Sequence, residues 1–443
     1  MSFNFGQKFR YSCTSAGLNI ITITVSTWLL YFWSPPLDSG RPQYLNLTLV
    51  GLLLGLGRLW DAVIDPLIGH WSDKTSSRWG RRRPFMIFGT PIMVLSLLLL
   101  WTPPTSQSGI VNAVYFFLVT TVFYTSWSLV GIPYDSSLPE IATTAQERVS
   151  LSTWKNIFGT VGVLIGAVIA PPLFSSVSPV MMGGVIGMIG LVSVYITVTG
   201  LKETVPQKRH KLKFIDSLLS LRHNKSFLLL GLSTIVVQTA YAMLLTNLPY
   251  FVTVVIGVGE SQVSLFQGVV VITMIVTAPV WNWLSRYYSQ RWLLMLSMLG
   301  LVVTATLNFA VGLLPGIPVK GMALFALALL APFLAGYFIL VYAMMGSVVD
   351  YDEFITGNRR EALYYGVFSL SAGLGVSLAT LIVPRLFAIY GYTASDSMGV
   401  KMVFLVVAGI VFLGAVALRG YRLGDTIEET KRNLGQAHNK MKL

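Results

Sequence analysis

Charged side chains are scarce in this chain of 443 residues: Asp, Glu, Lys and Arg together make up 11% of it, and hydrophobic residues make up 54%. Water-soluble domains carry about 25% charged residues. The mean hydropathy is strongly positive, at +0.69. The composition therefore excludes a water-soluble globule and predicts a membrane protein.

Cysteine and histidine are also rare. The single cysteine, Cys13, excludes an intrachain disulfide. The histidines lie far apart and at no spacing typical of a metal site: they are His70, His210, His223 and His438. The sequence contains no nucleophile elbow and no phosphate-binding loop. We therefore expect neither an enzyme nor a protein with a bound organic cofactor.

Long apolar runs, in contrast, are abundant. A membrane-spanning helix needs about 20 mostly apolar residues, and lipid offers the backbone amides no partner outside the segment itself. Hydropathy predicts about twelve spans and hence an all-α membrane protein. The predicted spans are 12–34, 46–71, 84–102, 110–135, 153–177, 180–200, 226–256, 263–285, 291–313, 320–348, 362–390 and 399–419. Because "MSFNFGQKFRYS" leads into a span of full length, we expect the first helix to be retained and not cleaved as a signal.

The net charge of +13 is distributed unevenly along the chain. When the loops are assigned alternately to two sides, 26 of the 31 lysines and arginines fall on the side of the amino terminus, four fall on the other side, and Arg58 lies within a span. This positive-inside pattern predicts a multi-pass protein of the plasma (inner) membrane with both termini in the cytoplasm. Topology and anionic lipid headgroups then account for the basic surplus, so we expect membrane lipid, and no nucleic acid, as a partner.

A long polar segment, "LKETVPQKRHKLKFIDSLLSLRHNKS", separates six spans from six. The predicted organisation is an amino-terminal six-helix bundle at 1–200, a cytoplasmic linker at 201–225, a carboxy-terminal six-helix bundle at 226–420 and a cytoplasmic tail at 421–443. In the linker, apolar residues from Leu212 to Leu219 fall at helical spacing. They indicate either a short helix on the membrane surface or a basic linker held by charge alone.

The two halves contain segments that echo each other at nearly constant separation. "DPLIGHWSDK" aligns with "APVWNWLSRY" at an offset of 213, and "EIATTAQER" aligns with "DEFITGNRR" at an offset of 212. In the second pair, Glu140 precedes Arg148 by eight residues, and Asp352 likewise precedes Arg360. The shared offset predicts the duplication of a six-helix unit, a plan typical of carriers whose two halves open alternately around a midplane site.

Arg58, Asp61 and Asp65 lie within the second span, spaced by three and four residues, and hence on one face of its helix. A charge at mid-bilayer costs about 2.5–3.5 kcal/mol on insertion scales, so this face should meet an internal, wet cavity. Two carboxylates one turn apart provide oxygen ligands for Na⁺ or a site for a proton, with Arg58 as their partner. The alternative is a buried ion network that binds no ion, but Arg58 can neutralise only one of the two acids.

At the inner end of the second span, "GHWSDKTSSRWGRRRP" has the pattern G-x-x-x-D-[RK] followed by G-R-[RK]. It is similar to the signature loop between spans two and three of the major facilitator superfamily, and this resemblance implies that superfamily's fold. We predict a cytoplasmic gate of acids and arginines that close and separate during transport, with a merely solvated basic turn as the alternative. Its candidate residues are Asp73, Arg81, Arg82, Glu140, Arg148, Asp352 and Arg360, and we expect Asp135 to act with them.

Five segments, "GRLWDAVIDPLIG", "SRWGRRRPF", "GIPYDSSLPEI", "VVDYDEF" and "REALYYGVFS", carry a more specific resemblance. Over nearly the whole chain the sequence resembles the glycoside-pentoside-hexuronide:cation symporter family, in particular melibiose-type carriers. The resemblance implies symport driven by Na⁺ or H⁺ and carries the cation site over to Asp61 and Asp65. Ser128 stands where melibiose-type carriers have a threonine, whereas Ile64 replaces an asparagine ligand, so Na⁺ selectivity does not follow.

The sugar-contacting positions of that family are less well preserved. Asn19, Gly131 and Gly373 stand in place of charged residues, and Lys155 or Asn156 stands in place of an arginine. Polar and aromatic side chains that we expect to line a substrate cavity instead are Asn19, Tyr124, Trp127, Gln238, Tyr241, Asn247 and Tyr365. Each of these, taken alone, is also typical of an ordinary interhelical contact.

Three functions remain open from the sequence. We expect a monomeric symporter of a small organic solute, a sugar or glycoside, because small-solute symport is the common use of an ion-coupled midplane cavity. The segments "RLWDA", "DP" and "FGTP" also resemble vertebrate sodium-dependent lysophospholipid importers, which makes an amphiphile transporter the first alternative. The second alternative is a carrier-fold sensor or assembly partner that transports nothing.

Overall fold

The computed structural model describes residues 4–75, 77–142, 144–201, 224–356, 361–421 and 423–424. Within these ranges all regular secondary structure is helical, which confirms the predicted all-α class. The first six helices, α1 to α6, are Phe5–Trp33, Leu47–Lys74, Arg83–Leu99, Ile110–Ile141, Ala145–Pro172 and Pro179–Gly200. The next six, α7 to α12, are Lys225–Tyr250, Val263–Leu284, Gln290–Phe309, Val319–Thr356, Glu361–Tyr390 and Met398–Ala417.

Eleven helical segments in the described part of the chain are long and apolar enough to cross a membrane, and α3 is a shorter apolar helix. The protein is therefore an integral multi-pass membrane protein. Helices α5 and α7 each continue as one π-helical turn, Leu173–Val177 and Phe251–Val255. The proposed surface helix of the linker lies outside the described residues.

Several helices extend beyond the predicted spans because polar residues cap them. Helix α1 begins at residue 5, where the Asn4 side chain accepts a hydrogen bond from the backbone N–H of Gln7 (2.9 Å) and the Gln7 side chain accepts one from the backbone N–H of Asn4 (3.0 Å). Thr144 and Glu147 form the same reciprocal arrangement at the start of α5. Such caps satisfy backbone donors that hydropathy does not register, so the helices begin in polar sequence.

The described helices fall into two compact units that coincide only partly with the predicted halves. The first unit comprises Met1–Lys208 together with Leu245–Gly268 and Thr380–Ser397. The second unit comprises Arg209–Leu244, Val269–Ala379 and Met398–Leu443. The ends of α7 and α11 and the start of α8 thus belong with the amino-terminal helices, and the boundary predicted at 201–225 stays a prediction.

Polar contacts explain why these ends join the first unit. Arg41, in the connection between α1 and α2, binds both carboxylate oxygens of Glu260, with Nε–Oε1 at 2.6 Å and Nη2–Oε2 at 2.5 Å. The Tyr31 hydroxyl donates to Glu260 as well (3.1 Å), and Asp38 accepts a hydrogen bond from the backbone N–H of Ala394 (2.6 Å). These contacts form a clasp, defined here by Arg41, Glu260 and Tyr31, at the end of the unit far from the arginine-rich loop.

Inside the first unit, α1 packs against α5 and α6, and α4 packs against α2 and α3. A Cβ atom at Gly162 of α5 would clash with the backbone of Ala16 on α1, so this glycine permits the close approach of the two helices. Glycine thus serves packing at this position. Cys13, on the same helix, is buried, with 7% of its surface exposed.

Candidate cation site

The site is built where α2 lies directly against α4. A Cβ atom at Gly57 would meet the ring of Tyr124 at 3.0 Å and the methyl group of Thr120 at 3.1 Å, so the two helices approach closely at this point. One turn further along α2, the Trp60 indole donates to the Thr125 hydroxyl (2.9 Å). Close packing and this hydrogen bond fix the register that brings the acids of α2 beside α4.

Asp61 and Asp65 converge on a single side chain, Ser128 of α4. The Ser128 hydroxyl donates to Asp65 Oδ1 at 2.5 Å, and it lies 2.8 Å from Asp61 Oδ1. Ser128 is 1% exposed. The two carboxylates therefore share one buried hydroxyl, and their Oδ1 atoms point to the same spot.

The hydrogen atoms available to these contacts can be counted. A serine hydroxyl has one hydrogen, so it can donate to one carboxylate at a time. The second short contact is then either a share of the same hydrogen or a hydrogen bond that the Ser128 oxygen accepts from a protonated carboxyl group. The two carboxylates and the hydroxyl thus present oxygen atoms at one place, which is the type of ligand that a proton or a small hard cation requires.

Arg58 supplies the nearby positive charge. Its Nη1 lies 3.7 Å from Asp61 Oδ2, and its guanidinium carbon lies 4.4 Å above the centre of the Tyr124 ring. Both ionic side chains are largely covered, with 20% of Arg58 and 18% of Asp61 exposed. In the described part of the chain no lysine or arginine lies within ion-pair distance of Asp65, so one of the two acids keeps no basic partner there.

One further oxygen was missed from the sequence. Pro66 lies inside α2 directly after Asp65, and proline has no backbone N–H to bond the carbonyl four residues earlier. The Ala62 carbonyl, between the two acids, therefore accepts no hydrogen bond from the backbone at position 66. The signal was present in the letters "DP". Ile64, in contrast, is buried among its neighbours and offers no ligand atom.

The predicted cytoplasmic gate is only partly described. Asp73 Oδ1 lies 3.1 Å from Arg82 Nη2 and 3.9 Å from Arg81 Nη2, which ties the end of α2 to the start of α3. Arg148 donates from Nε to the backbone carbonyl of Ala142 (3.0 Å). Asp352 is buried in the second unit. The Glu140 side chain and Arg360 lie outside the described residues, so the gate as a whole stays a prediction.

The structure gives Asp135 a different partner from the one expected. Its carboxylate binds Lys155 of α5, with Nζ–Oδ1 at 2.6 Å, whereas the described polar contact of Arg148 is to a backbone carbonyl. The expectation relied on charge and on proximity in the sequence. Lys155, the eleventh residue of α5, reaches across to α4, and a gating role for Asp135 stays a prediction.

The candidate cavity residues are divided between the two units. Asn19, Tyr124, Trp127 and Asn247 belong to the first unit, and Gln238, Tyr241 and Tyr365 belong to the second. Asn19 donates to the Ser15 carbonyl (2.8 Å), Tyr124 lies beneath Arg58, and Asn247 is buried. Tyr241 meets Phe338 edge-on, at 5.3 Å between ring centres. A common cavity lined by all seven residues stays a prediction.

Comparisons with known proteins agree with this architecture. The chain is 25% identical to the isoprimeverose transporter of Lactiplantibacillus pentosus, over 98% of this chain and 92% of the relative. It is 26% identical to the glucuronide carrier protein homolog of Escherichia coli, over 85% and 84% of the two chains. The crystal structure of the nucleoside transporter NupG superposes with a TM-score of 0.65 at 15% identity, covering 94% of this chain and 98% of that one, and so shows a shared fold.

The sequence model that describes the MFS/sugar transport protein family matches residues 10–421. This match covers all twelve helices but for the first residues of α1. The fold predicted from the signature loop is thereby confirmed, and so is the likeness to sugar symporters. The chain belongs to the MFS/sugar transport protein family.

Proposed function

We propose that this protein is a secondary active symporter that uses a gradient of Na⁺ or H⁺ to accumulate a sugar or glycoside by alternating access. In this proposal Asp61 and Asp65 bind the coupling ion, Ser128 bridges them, and Arg58 holds Asp61 in place. The observation that carries the proposal is the convergence of both carboxylates on one buried hydroxyl, with Arg58 as the one basic side chain within ion-pair distance in the described part of the chain.

Charge balance favours one monovalent ion per cycle. Asp61 and Asp65 bring two negative charges and Arg58 brings one positive charge, which leaves one net negative charge at the site. An uncompensated charge inside the membrane is costly, and one Na⁺ or H⁺ removes it. With the ion bound, the site is neutral. The free-energy cost of switching between the outward-facing and inward-facing states is then lower than it is for the empty site. This difference is a physical basis for coupling.

The oxygens offered suit both ions. Carboxylate, hydroxyl and carbonyl oxygens are hard ligands, and the described residues supply Asp61, Asp65 and Ser128, with the Ala62 carbonyl released beside them. A proton needs only one carboxyl group and the hydroxyl. We therefore expect Na⁺ and H⁺ to compete, with Na⁺ favoured at high pH because protons are then scarce.

The substrate class is supported by the relatives. One is named for isoprimeverose and another for glucuronides, both glycosidic molecules. In the first unit, Trp127 offers an aromatic face to a sugar ring and Asn19 offers an amide to its hydroxyls, whereas the Tyr124 ring is buried beneath Arg58. We propose a plasma-membrane monomer with cytoplasmic termini, in which the Asp73 loop forms part of the inner gate.

The test is gradient-driven uptake into vesicles that contain the purified protein. A panel of radiolabelled mono- and disaccharides, phenyl glycosides and lysophospholipids is offered with and without inward Na⁺, at pH 6 and pH 8. We expect one glycoside class to accumulate in the parent protein. Asp61→Asn and Asp65→Asn should each abolish accumulation and leave exchange of that solute across the membrane, because each removes an ion ligand and not the solute site.

Asp396→Asn is the matched control, since it makes the same chemical change at an acid that lies between α11 and α12, outside the helices. It should accumulate solute like the parent. Unchanged accumulation in both Asp61 and Asp65 variants would reject the coupling site. Uptake of lysophospholipid alone would favour the amphiphile transporter, and no uptake under any gradient would favour the sensor.

A further inference from the structure

Helix α4 has two accessible faces of opposite character. Val114, Leu118 and Val122 are exposed and follow one another at intervals of four residues, as expected of a face that meets lipid. Gly131 comes nine residues after Val122, or about two and a half turns, and so lies on the opposite side of the helix. The face that includes Gly131 is therefore turned away from the lipid-facing stripe.

This second face carries Trp127, Gly131 and Asp135, each one turn after the last. A Cβ atom at Gly131 would meet only the Trp127 indole nitrogen, at 4.0 Å, so there is open space above this glycine beside an aromatic wall. Trp127 is half-buried, and 62% of the Asp135 side chain is exposed. Asp135 lies three residues before the end of the apolar span Ile110–Leu138, on the side of the helix away from the lipid-facing stripe, so its carboxylate is accessible to water at that end of the helix.

Lys155 makes this carboxylate half of an ion pair. Its Nζ lies 2.6 Å from Asp135 Oδ1 and 5.2 Å from the centre of the Tyr134 ring, and 25% of its side chain is exposed. Tyr134 is itself buried and stacked on Tyr11, with ring centres 4.9 Å apart. The ammonium is thus held by an anchored ring on one side and by the carboxylate on the other.

A third polar group lies one turn away along α5. A Cβ atom at Gly159, four residues after Lys155, would lie 3.1 Å from Asn19 Nδ2. Helices α1, α4 and α5 of the first unit thus carry an amide beside Gly159, an ion pair between Asp135 and Lys155, and an indole beside the open space at Gly131. This combination of groups suits a sugar ring, which has hydroxyl groups on its edges and C–H groups on its faces.

We infer that the Asp135–Lys155 pair contacts the transported solute and selects uncharged glycosides over anionic ones. The inference rests on the proposed function. The pair as a whole is neutral, so its carboxylate accepts hydrogen bonds from solute hydroxyls while its ammonium donates to them. A carboxylate on the solute would be attracted by Lys155 but repelled by Asp135, which is the more exposed of the two. Asp135 is therefore the residue that determines charge selectivity.

The test compares two solutes, phenyl β-glucoside and phenyl β-glucuronide. They differ at one position, where the glucoside has a hydroxymethyl group and the glucuronide has a carboxylate. Initial uptake is measured down each solute's own concentration gradient, with no ion gradient imposed, and expressed as kcat/KM. The parent protein should prefer the glucoside. In Asp135→Asn the ratio of glucuronide to glucoside should rise at least tenfold, because Lys155 is left as an unopposed positive charge.

Two further variants separate solute contact from structure. Asp135→Glu keeps the charge and should keep the parent's ratio, whereas Lys155→Gln should lower the glucuronide rate more than the glucoside rate. A purely structural tie between α4 and α5 would change both rates together and leave their ratio alone. Folding of each variant is checked by its thermal unfolding midpoint in detergent.

A ratio within twofold of the parent in both Asp135→Asn and Lys155→Gln would overturn the inference, as would a parent that prefers the glucuronide. These outcomes are distinct from a failure of the proposed function. That failure would appear in the parent as uptake that ignores Na⁺ and pH gradients, and the charge ratio could still be read from such a protein.

Discussion

Ser128→Ala removes the one group that both acids share, and its effect can be worked from the site. The hydroxyl makes a short contact to Asp65 (2.5 Å) and to Asp61 (2.8 Å), and it is fully covered by protein. A hydrogen bond to a charged group contributes about 1.5–3 kcal/mol. At 1.4 kcal/mol for each factor of ten, its loss should weaken ion binding by about 10- to 150-fold.

The assay is the Na⁺ concentration that gives half-maximal solute uptake, measured at pH 8, where protons compete least. We expect this concentration to rise by at least tenfold in Ser128→Ala and by less than about threefold in Ser128→Thr, which keeps the hydroxyl. Ser126→Ala is the matched control, because Ser126 is equally buried on α4 but donates to the Phe123 carbonyl instead. It should leave the half-maximal concentration unchanged.

Equal Na⁺ dependence in the parent and in Ser128→Ala would refute the reasoning, provided that Asp61→Asn still abolished accumulation in the same vesicles. Such a pair of results would mean that the ion binds to the acids from the side away from α4. If Ser128→Ala lost activity only because it folds poorly, its unfolding midpoint would be lower than that of Ser126→Ala.

Two other predictions concern the scaffold. Glu260→Gln should weaken the clasp with Arg41 by about 1 kcal/mol and so lower the unfolding midpoint in detergent. Arg41→Ala should do the same, and the double variant should add little, whereas fully additive effects would show that the two residues act separately. Gly57→Val should cost about 1–3 kcal/mol by pressing on Tyr124, and should lower the unfolding midpoint in detergent, whereas Gly409→Ala, with open space around it, should not. A Gly57→Val protein as stable as the parent would contradict the close packing of α2 on α4.

The sequence was most informative where a single physical cost dominates. Apolar runs must become helices in lipid, so most span ends could be placed to within a few residues. The exceptions are the starts at Asn4 and Thr144, where capping extends the helix, and the ends of α4 and α10, which lie six and eight residues beyond the predicted spans. The triad from Arg58 to Asp65 could be found for the same reason, since charge in a span demands a special setting.

Contacts between helices were harder to predict. The pairing of Asp135 with Lys155 depends on the rotation of α4 against α5, which no local pattern encodes, so the sequence alone did not reveal it. The sequence placed Ser128 beside Asp61 and Asp65 only through a family likeness. What positions it is the small size of Gly57, a packing effect that becomes visible once the two helices are seen together.

The burial of Cys13 has a practical consequence. It is the single cysteine of the chain, and only 7% of it is exposed. Thiol reagents attack the thiolate and need access to it, so a membrane-impermeant maleimide should leave the parent protein unmodified. Any cysteine introduced at a surface position can therefore be labelled with a fluorophore or spin probe in the otherwise native chain, and distances can be followed through the transport cycle without first replacing the native thiol.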